Sequence, residues 1–404
     1  MRFERSLGRT TGPVFALAGL LFAVLAGLVP YRLSVFANTA PVKSDYFVYV
    51  GTYTGPASKG IYGYRFDAKT GHLTPLGVAA EVVNPSWVVT DPHHRFVYVV
   101  TEMSGDHGPN PHQANGFISS FAIDPKTGAL RFLNKISSAG GGPCHLVVDK
   151  TGKILFVANY GSGNVASFSI KPDGSIGEMT GLDQHSGSSV DALRQRGPHA
   201  HAVVLSPDNR FLFVPDLGLD QIFIYRVDTA KGTFTANNPS SVSVKAGLGP
   251  RHFTFGVGAK FAYAVCEMGS SVVVFSYDPL KGSLNPVQTI STLPAGFTGE
   301  DNSAEIQIDQ AGRFLYASNR GNNSITVFAI SPQNGTLTKV QVVPTQGNIP
   351  RNFVIEPTGK YLIAANQNSN NMVVFSIDPK NGQLTPTSQV LEIPAPVSIL
   401  FVPM

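Results

Sequence analysis

The chain has 404 residues, 43% apolar and 14% charged, with 41 Gly and 29 Pro, a globular composition rich in turns and ample for a large core. Its formal net charge is +4, and residues 1–37 supply most of it through Arg2, Arg5, Arg9 and Arg32 against Glu4. The rest is close to neutral, with no basic stripe for nucleic acid and no acidic tail for a cationic partner.

The first element in chain order is a targeting segment. Three arginines precede an unbroken apolar run over 14–29, and Val35-Phe36-Ala37 offers small residues where a signal peptidase cuts. Residues 1–37 therefore read as a secretory signal, because the run is short for a spanning helix, with an uncleaved N-terminal anchor as the alternative. Residues 38–45 form a linker, 46–404 a single domain, and the mature protein is expected to be exported, periplasmic or secreted.

The remainder is one paragraph written repeatedly. One copy reads PHAHAVVLSPDNRFLFVPDLGLDQIFIYRVDTAKGTFTAN, from Pro198; others begin near Pro85, Pro143, Pro250, Asn302 and Pro350. An incomplete first copy spans 46–77, and PAPVSILFV at 394–402 supplies its missing opening strand. Each copy holds four β-branched and aromatic runs separated by turn signals such as Asp-Pro-Lys-Asn-Gly. A period near 50 residues with four strands predicts a seven-bladed β-propeller, its ring closed by the C-terminal strand completing the N-terminal blade.

Strands a to d run outward from the axis, so the starts of a and the ends of b share one rim. That rim collects the residues a plain repeat does not need. His199 and His201 open strand a of blade 4, Arg251 and His252 that of blade 5, Glu305 that of blade 6 and Arg351 that of blade 7. Asp216, Glu267 and Arg320 end strands b of blades 4, 5 and 6, and the longest insertions, 102–116 and 178–197, fall on the same side. Charged groups near the axis need partners, so they form either a site or inter-blade ion pairs; the asymmetry between rims favours a site.

Other candidates are bland. Cys144 and Cys266 fall in non-neighbouring blades and read as two buried small side chains rather than a disulfide. His93 and His94 lie in an a–b turn on the far rim. His107 and His112 lack zinc spacing, so no metal is expected. Gly161-Ser162-Gly163 is a b–c turn with no helix after it to make a phosphate loop, and no Ser sits in a nucleophile elbow.

QHSGSSVDALRQRGPHAHAVVLSPDNRFLFVPDLGLDQI at 184–222, GPRHFTF at 249–255, CEMGSSVVVF at 266–275, SAEIQI at 303–308, SNRGNNSITVF at 318–328 and PRNFVIEPTGKYLIAANQ at 350–367 resemble the lactonase family of seven-bladed propellers. That family holds propeller-type 6-phosphogluconolactonases and the fungal carboxy-cis,cis-muconate cyclase. The chain departs from it at Leu193, where the family often has Pro, and at Cys266, where it often has Asn.

The resemblance implies a catalytic set of His201, Arg251, Glu267 and Arg320, with His199 the alternative to His201. It implies a small lactone or carboxylate substrate; no cofactor is expected, and the chain is expected to be a monomer. In this reading His201 or Glu267 is the general base, while Arg251 and Arg320 bind an oxyanion or anionic group. His199, Asp216, Glu305, Arg351, Arg194 and His252 are expected to hold substrate. A lactone hydrolase is the first expectation. An intramolecular lyase of the cyclase kind and a non-catalytic exported propeller of the YVTN type are the alternatives.

Overall fold

The computed structural model describes residues 45–103 and 116–404. The signal segment and His107 and His112 lie outside these residues. Seven four-stranded antiparallel sheets make up the described part. In sequence order each is a blade, with strands a at Pro396–Pro403, Val88–Thr90, Pro143–Val148, Val204–Leu205, Pro250–Phe255, Ser303–Ile308 and Pro350–Ile355. Strands b follow at Asp45–Thr52, Phe96–Thr101, Ile154–Asn159, Phe211–Asp216, Phe261–Cys266, Phe314–Asn319 and Tyr361–Asn366. The ring closes as expected: Asp45–Thr52 lies between Gly60–Asp67 and the C-terminal strand, in register from Tyr46 opposite Pro403 to Gly51 opposite Ser398, with a one-residue shift before Thr52 meets Pro396.

Burial explains the residue choice. Strand b is covered on both faces by neighbouring blades, so Ile154–Asn159 is buried throughout, whereas the outermost strand Leu384–Glu392 is buried only at Leu384 and otherwise half-buried or exposed. The a–b turns are set by one acceptor each. Asp149 Oδ1 takes the N–H groups of Lys153 (2.8 Å) and Ile154 (2.9 Å), and Asp309 Oδ1 those of Arg313 and Phe314. The c–d turns dock on the preceding blade. Tyr263 donates to the carbonyl of Gly335 at 3.0 Å, and a Cβ on Gly335 would stand 2.4 Å from the Phe261 ring. With φ of +72° as well, only glycine fits there.

Two devices place the rim residues. Strand a carries a bulge near its start in blades 3, 5 and 7, falling between Pro143 and His145, between Pro250 and His252, and between Pro350 and Asn352. The extra residues are Cys144, Arg251 and Arg351, and a bulge re-aims the side chain it adds. In blade 4 the same stretch is looser. Ala200 bridges Asp216, and regular pairing resumes only at Val204, because Pro215 on strand b has no N–H to give the ladder. His199 and His201 therefore precede the formal strand rather than open it. The second long insertion is also shorter than the sequence suggests: strand d of blade 3 continues to Gln184, and the connection starts at His185.

The last residue of strand b is the other device. Asn159, Asn319 and Asn366 each donate from Nδ2 to a carbonyl just beyond strand d of the preceding blade, Ser138 (3.0 Å), Thr292 (3.1 Å) and Thr345 (3.1 Å). Asp216 is their counterpart in blade 4, and Cys266 that in blade 5. Asp216 accepts from the His199, Gly218 and Leu219 N–H groups and meets His185 Nδ1 at 2.6 Å. It staples blades 3 and 4 and does not face the mouth, contrary to the sequence expectation. Replacing Asp216 with Ala is expected to destabilise the fold by about 3 kcal/mol or more, since it orphans several buried donors. Asp216→Asn should lose less, and a denaturant melt distinguishes the two.

Candidate active site

The residue directly after strand b is Tyr53, Glu102, Tyr160, Leu217, Glu267, Arg320 and Gln367 in blades 1 to 7. Glu102, Tyr160, Glu267 and Arg320 of this set line a cavity of about 310 Å³, together with the bulge residues Cys144 and Arg351 and with Arg194, His201 and Asn302. The size suits a small molecule. A wider cleft of about 610 Å³ between outer strands of blades 1 and 7 is lined mostly by polar strand residues, and its Arg65 is paired with Asp45 at 2.6 Å.

Glu267 is the hub. Its Oε1 meets Arg194 Nη2 at 2.7 Å; its Oε2 meets Arg320 Nη2 at 2.7 Å and Arg251 Nε at 3.0 Å. Burial would push this carboxyl up, but Arg320, Arg251 and Arg194 outweigh it and hold it at about 2. His201 Nε2 stands 3.9 Å from Glu267 Oε2. Burial, then the Arg251 charge, lowers the His201 pKa well below its ordinary value, so the imidazole is neutral. The Tyr160 and His201 rings pack in a T shape with centroids 5.2 Å apart, and the Tyr160 hydroxyl takes a hydrogen bond from Arg194 at 3.2 Å. On the other wall Arg351 lies over the Tyr53 ring at 5.2 Å and 3.7 Å from Glu102 Oε2. Four guanidinium groups thus meet the side chains of two glutamates, which suits an anionic ligand or a developing oxyanion.

Apart from Asp216, the expected residues sort into four places. Arg194, His201, Glu267, Arg320 and Arg351 line the cavity. Arg251 is 2% exposed and sits behind Glu267, its Nη1 spent on the Ala304 carbonyl at 2.6 Å and on His252 Nε2 at 3.2 Å. His252 and Glu305 lie deeper along the axis. Glu305 is bonded to Asn352 at 2.6 Å and is 3.3 Å from His252 Nδ1. His199 backs the wall, stacked on Tyr160 with centroids 4.4 Å apart.

Tyr160, Glu102, Tyr53 and Asn302 were not singled out in the sequence as site residues, and Cys144 was read there only as a buried small side chain. Aligning the blades at the residue after strand b finds Tyr53, Glu102 and Tyr160, and aligning them at the bulge finds Cys144. The Cys144 thiol donates to the His201 carbonyl at 3.2 Å, and burial raises its pKa, so it packs as a small apolar group. Both cysteines are buried and unpaired. Among the described residues no group of three His, Cys, Asp or Glu side chains is arranged to hold a metal ion.

A seven-bladed propeller with a small polar cavity at one mouth, holding a neutral imidazole beside an ionised carboxylate and several arginines, has the makings of an enzyme for small acyl compounds. The chain belongs to the lactonase, 7-bladed β-propeller family, which it matches over residues 47–401. It is 34% identical over 314 residues to the 6-phosphogluconolactonase of Bacillus subtilis, covering 78% of this chain and 86% of that one. Among solved structures it is similar to the periplasmic gluconolactonase of Pseudomonas aeruginosa, with a TM-score of 0.83 and 36% identity over 89% of this chain and 99% of the other. It is equally similar to a putative 6-phosphogluconolactonase of Bacteroides fragilis, with a TM-score of 0.82 and 36% identity over 90% and 99%. Membership makes the chain a lactone hydrolase by class.

Proposed function

We propose that the mouth opens a sugar-derived lactone, with His201 as general base and Arg320, aided by Arg194 and Arg351, stabilising the oxyanion. The observation that carries this is a neutral His201 sharing one small cavity with three guanidinium groups. Water adds to the lactone carbonyl carbon as His201 Nε2 takes its proton. The oxyanion faces the arginines, and the adjacent Glu267 stabilises the imidazolium. Collapse breaks the ring C–O bond, and the imidazolium returns its proton to the leaving oxygen, giving a hydroxy acid. Glu267 is a poor base here, because three arginines already hold it ionised at about 2. Arg251 steadies Glu267 rather than touching substrate, which revises its expected oxyanion role.

The arginine-rich start and apolar run over 14–29 support export, and the similar Pseudomonas aeruginosa protein is named periplasmic. An exported enzyme meets unphosphorylated sugar lactones rather than cytosolic sugar phosphates. The test is a panel of phosphorylated and unphosphorylated lactones, assayed with protein beginning at Asn38. Hydrolysis of an unphosphorylated aldonolactone is expected, with His201→Ala lowering kcat by about 10²–10⁴-fold at unchanged melting temperature. No lactone opened faster than in buffer alone would overturn the reading. Because the His201 pKa is depressed, its protonation should slow the reaction only at acid pH, well below the ordinary histidine value.

A further inference from the structure

We infer that Glu305 is a positioning residue: acting through His252 from inside the channel, it fixes the orientation of Arg251 and hence of Glu267. Arg251 Nη1 can only donate, and it lies 3.2 Å from His252 Nε2. Nε2 therefore accepts, the ring proton sits on Nδ1, and Nδ1 faces Glu305 Oε2 at 3.3 Å. The same guanidinium nitrogen is held by the carbonyl of Ala304, the residue before Glu305. A continuous chain thus runs from Glu305 through His252 and Arg251 to Glu267 at the cavity wall, and every member is at most 5% exposed.

The surroundings leave Glu305 as the group in this chain that titrates near neutrality. Strand a of blade 5 gives it Arg251 and His252; blade 7 gives Asn352, with Arg351 turned to the mouth beside Glu102. Strand b of blade 6 contributes only Ser318, which accepts from the Glu305 N–H at 3.0 Å. Beyond His252 lie the rings of His145, His201 and Trp87, with centroids 5.3, 5.4 and 5.1 Å from it. Burial lowers the pKa of all three of these histidines and keeps them neutral. Burial pushes Glu305 up to about 7 against the opposing pull of the Ile306 N–H, Arg251 and Asn352.

Ionised, Glu305 accepts the Nδ1 proton and leaves Nε2 open for Arg251. Protonated, it becomes a donor toward Nδ1. The imidazole proton then moves to Nε2, where it opposes the Arg251 N–H, and Arg251 is displaced from Glu267. The site is therefore organised above pH 7 and loosened below it.

The activity arm rests on the lactonase reading. The kcat/KM of the wild type should fall about tenfold through a limb near pH 7, the scale of one hydrogen bond to a charged group. Glu305→Gln, which keeps an acceptor but cannot titrate, should lose that limb and retain the acid limb of His201; Glu305→Ala should be slow at every pH. The second arm needs no substrate. In the imidazole ¹⁵N–¹H spectrum of the wild type, the His252 signals, assigned by their loss in His252→Gln, should show the Nδ1–H form at pH 8.5 and an inflection near pH 7. A Glu305→Gln enzyme that keeps the neutral limb overturns the inference, as does a His252 spectrum with no inflection. If no lactone is turned over, the functional reading fails while the spectrum still decides this one.

Discussion

Deleting residues 396–403 is expected to abolish cooperative unfolding. This strand is strand a of blade 1, yet it follows the other strands of the ring in the chain, so until it docks the strand Asp45–Thr52 presents an unpaired edge to the channel. It also brings Val397, Ile399, Phe401 and Val402 into the core, at 9% exposure or less. At about 1.5–3 kcal/mol for each buried side chain, their loss removes roughly 6–12 kcal/mol, comparable to the whole stability of an ordinary domain. A thermal or denaturant melt checks it. A truncated chain with an unchanged, sharp transition would show that the ring does not depend on its closing strand. Substituting Phe401 with Ala is the milder variant, expected to cost about 3–5 kcal/mol without opening the ring.

Replacing Glu267 with Ala should damage stability and activity together. The carboxylate answers Arg251, Arg194 and Arg320, and Arg251 is too deeply buried to recruit water in its place. Breaking a buried pair by removing one partner costs about 3–5 kcal/mol, because the other charge is left uncompensated. Turnover should fall by about 10²–10³-fold, the effect of losing an aligned electrostatic group, since the freed arginines splay and the imidazolium loses its neighbour. Arg320→Ala should show a similar fall in kcat with a smaller loss of stability, because its side chain is partly exposed and leaves a carboxylate with two partners. Steady-state kinetics beside melting curves separate the cases. A Glu267→Ala enzyme of normal kcat would remove Glu267 from the chemistry and leave it a structural ion-pair hub.

The blades, their number and the closing strand were legible because a fifty-residue period needs no side-chain detail. The concentration of charge on one rim was legible too, since strand starts and strand ends alternate between rims by topology alone. Register at the rim was not. Asp216 and Glu267 look equivalent in sequence, yet Asp216 is the last residue of its strand and Glu267 the first beyond, so one faces the preceding blade and the other the cavity. Arg251 was placed at the mouth because it opens strand a. The bulge sets it behind Glu267 instead, and no local sequence signal separates it from Arg351, which occupies the same bulge in blade 7 and does reach the cavity. Glu305 and His252 resembled substrate ligands for the same reason, although His252 follows its bulge and Glu305, inside the irregular stretch of blade 6, is bonded to Asn352.

The split between the end of strand b and the residue after it also bears on how such a protein can change its chemistry. Blades 3 and 6 each have one address that locks the blade to its neighbour, Asn159 and Asn319, and next door one that lines the mouth, Tyr160 and Arg320. Tyr160 occupies the lining address of blade 3 without carrying charge. A carboxylate or imidazole installed there would enter the mouth while Asn159 kept its staple. The ring can therefore be re-lettered at such a blade for a new ligand while the bond that holds the blade to its neighbour is kept.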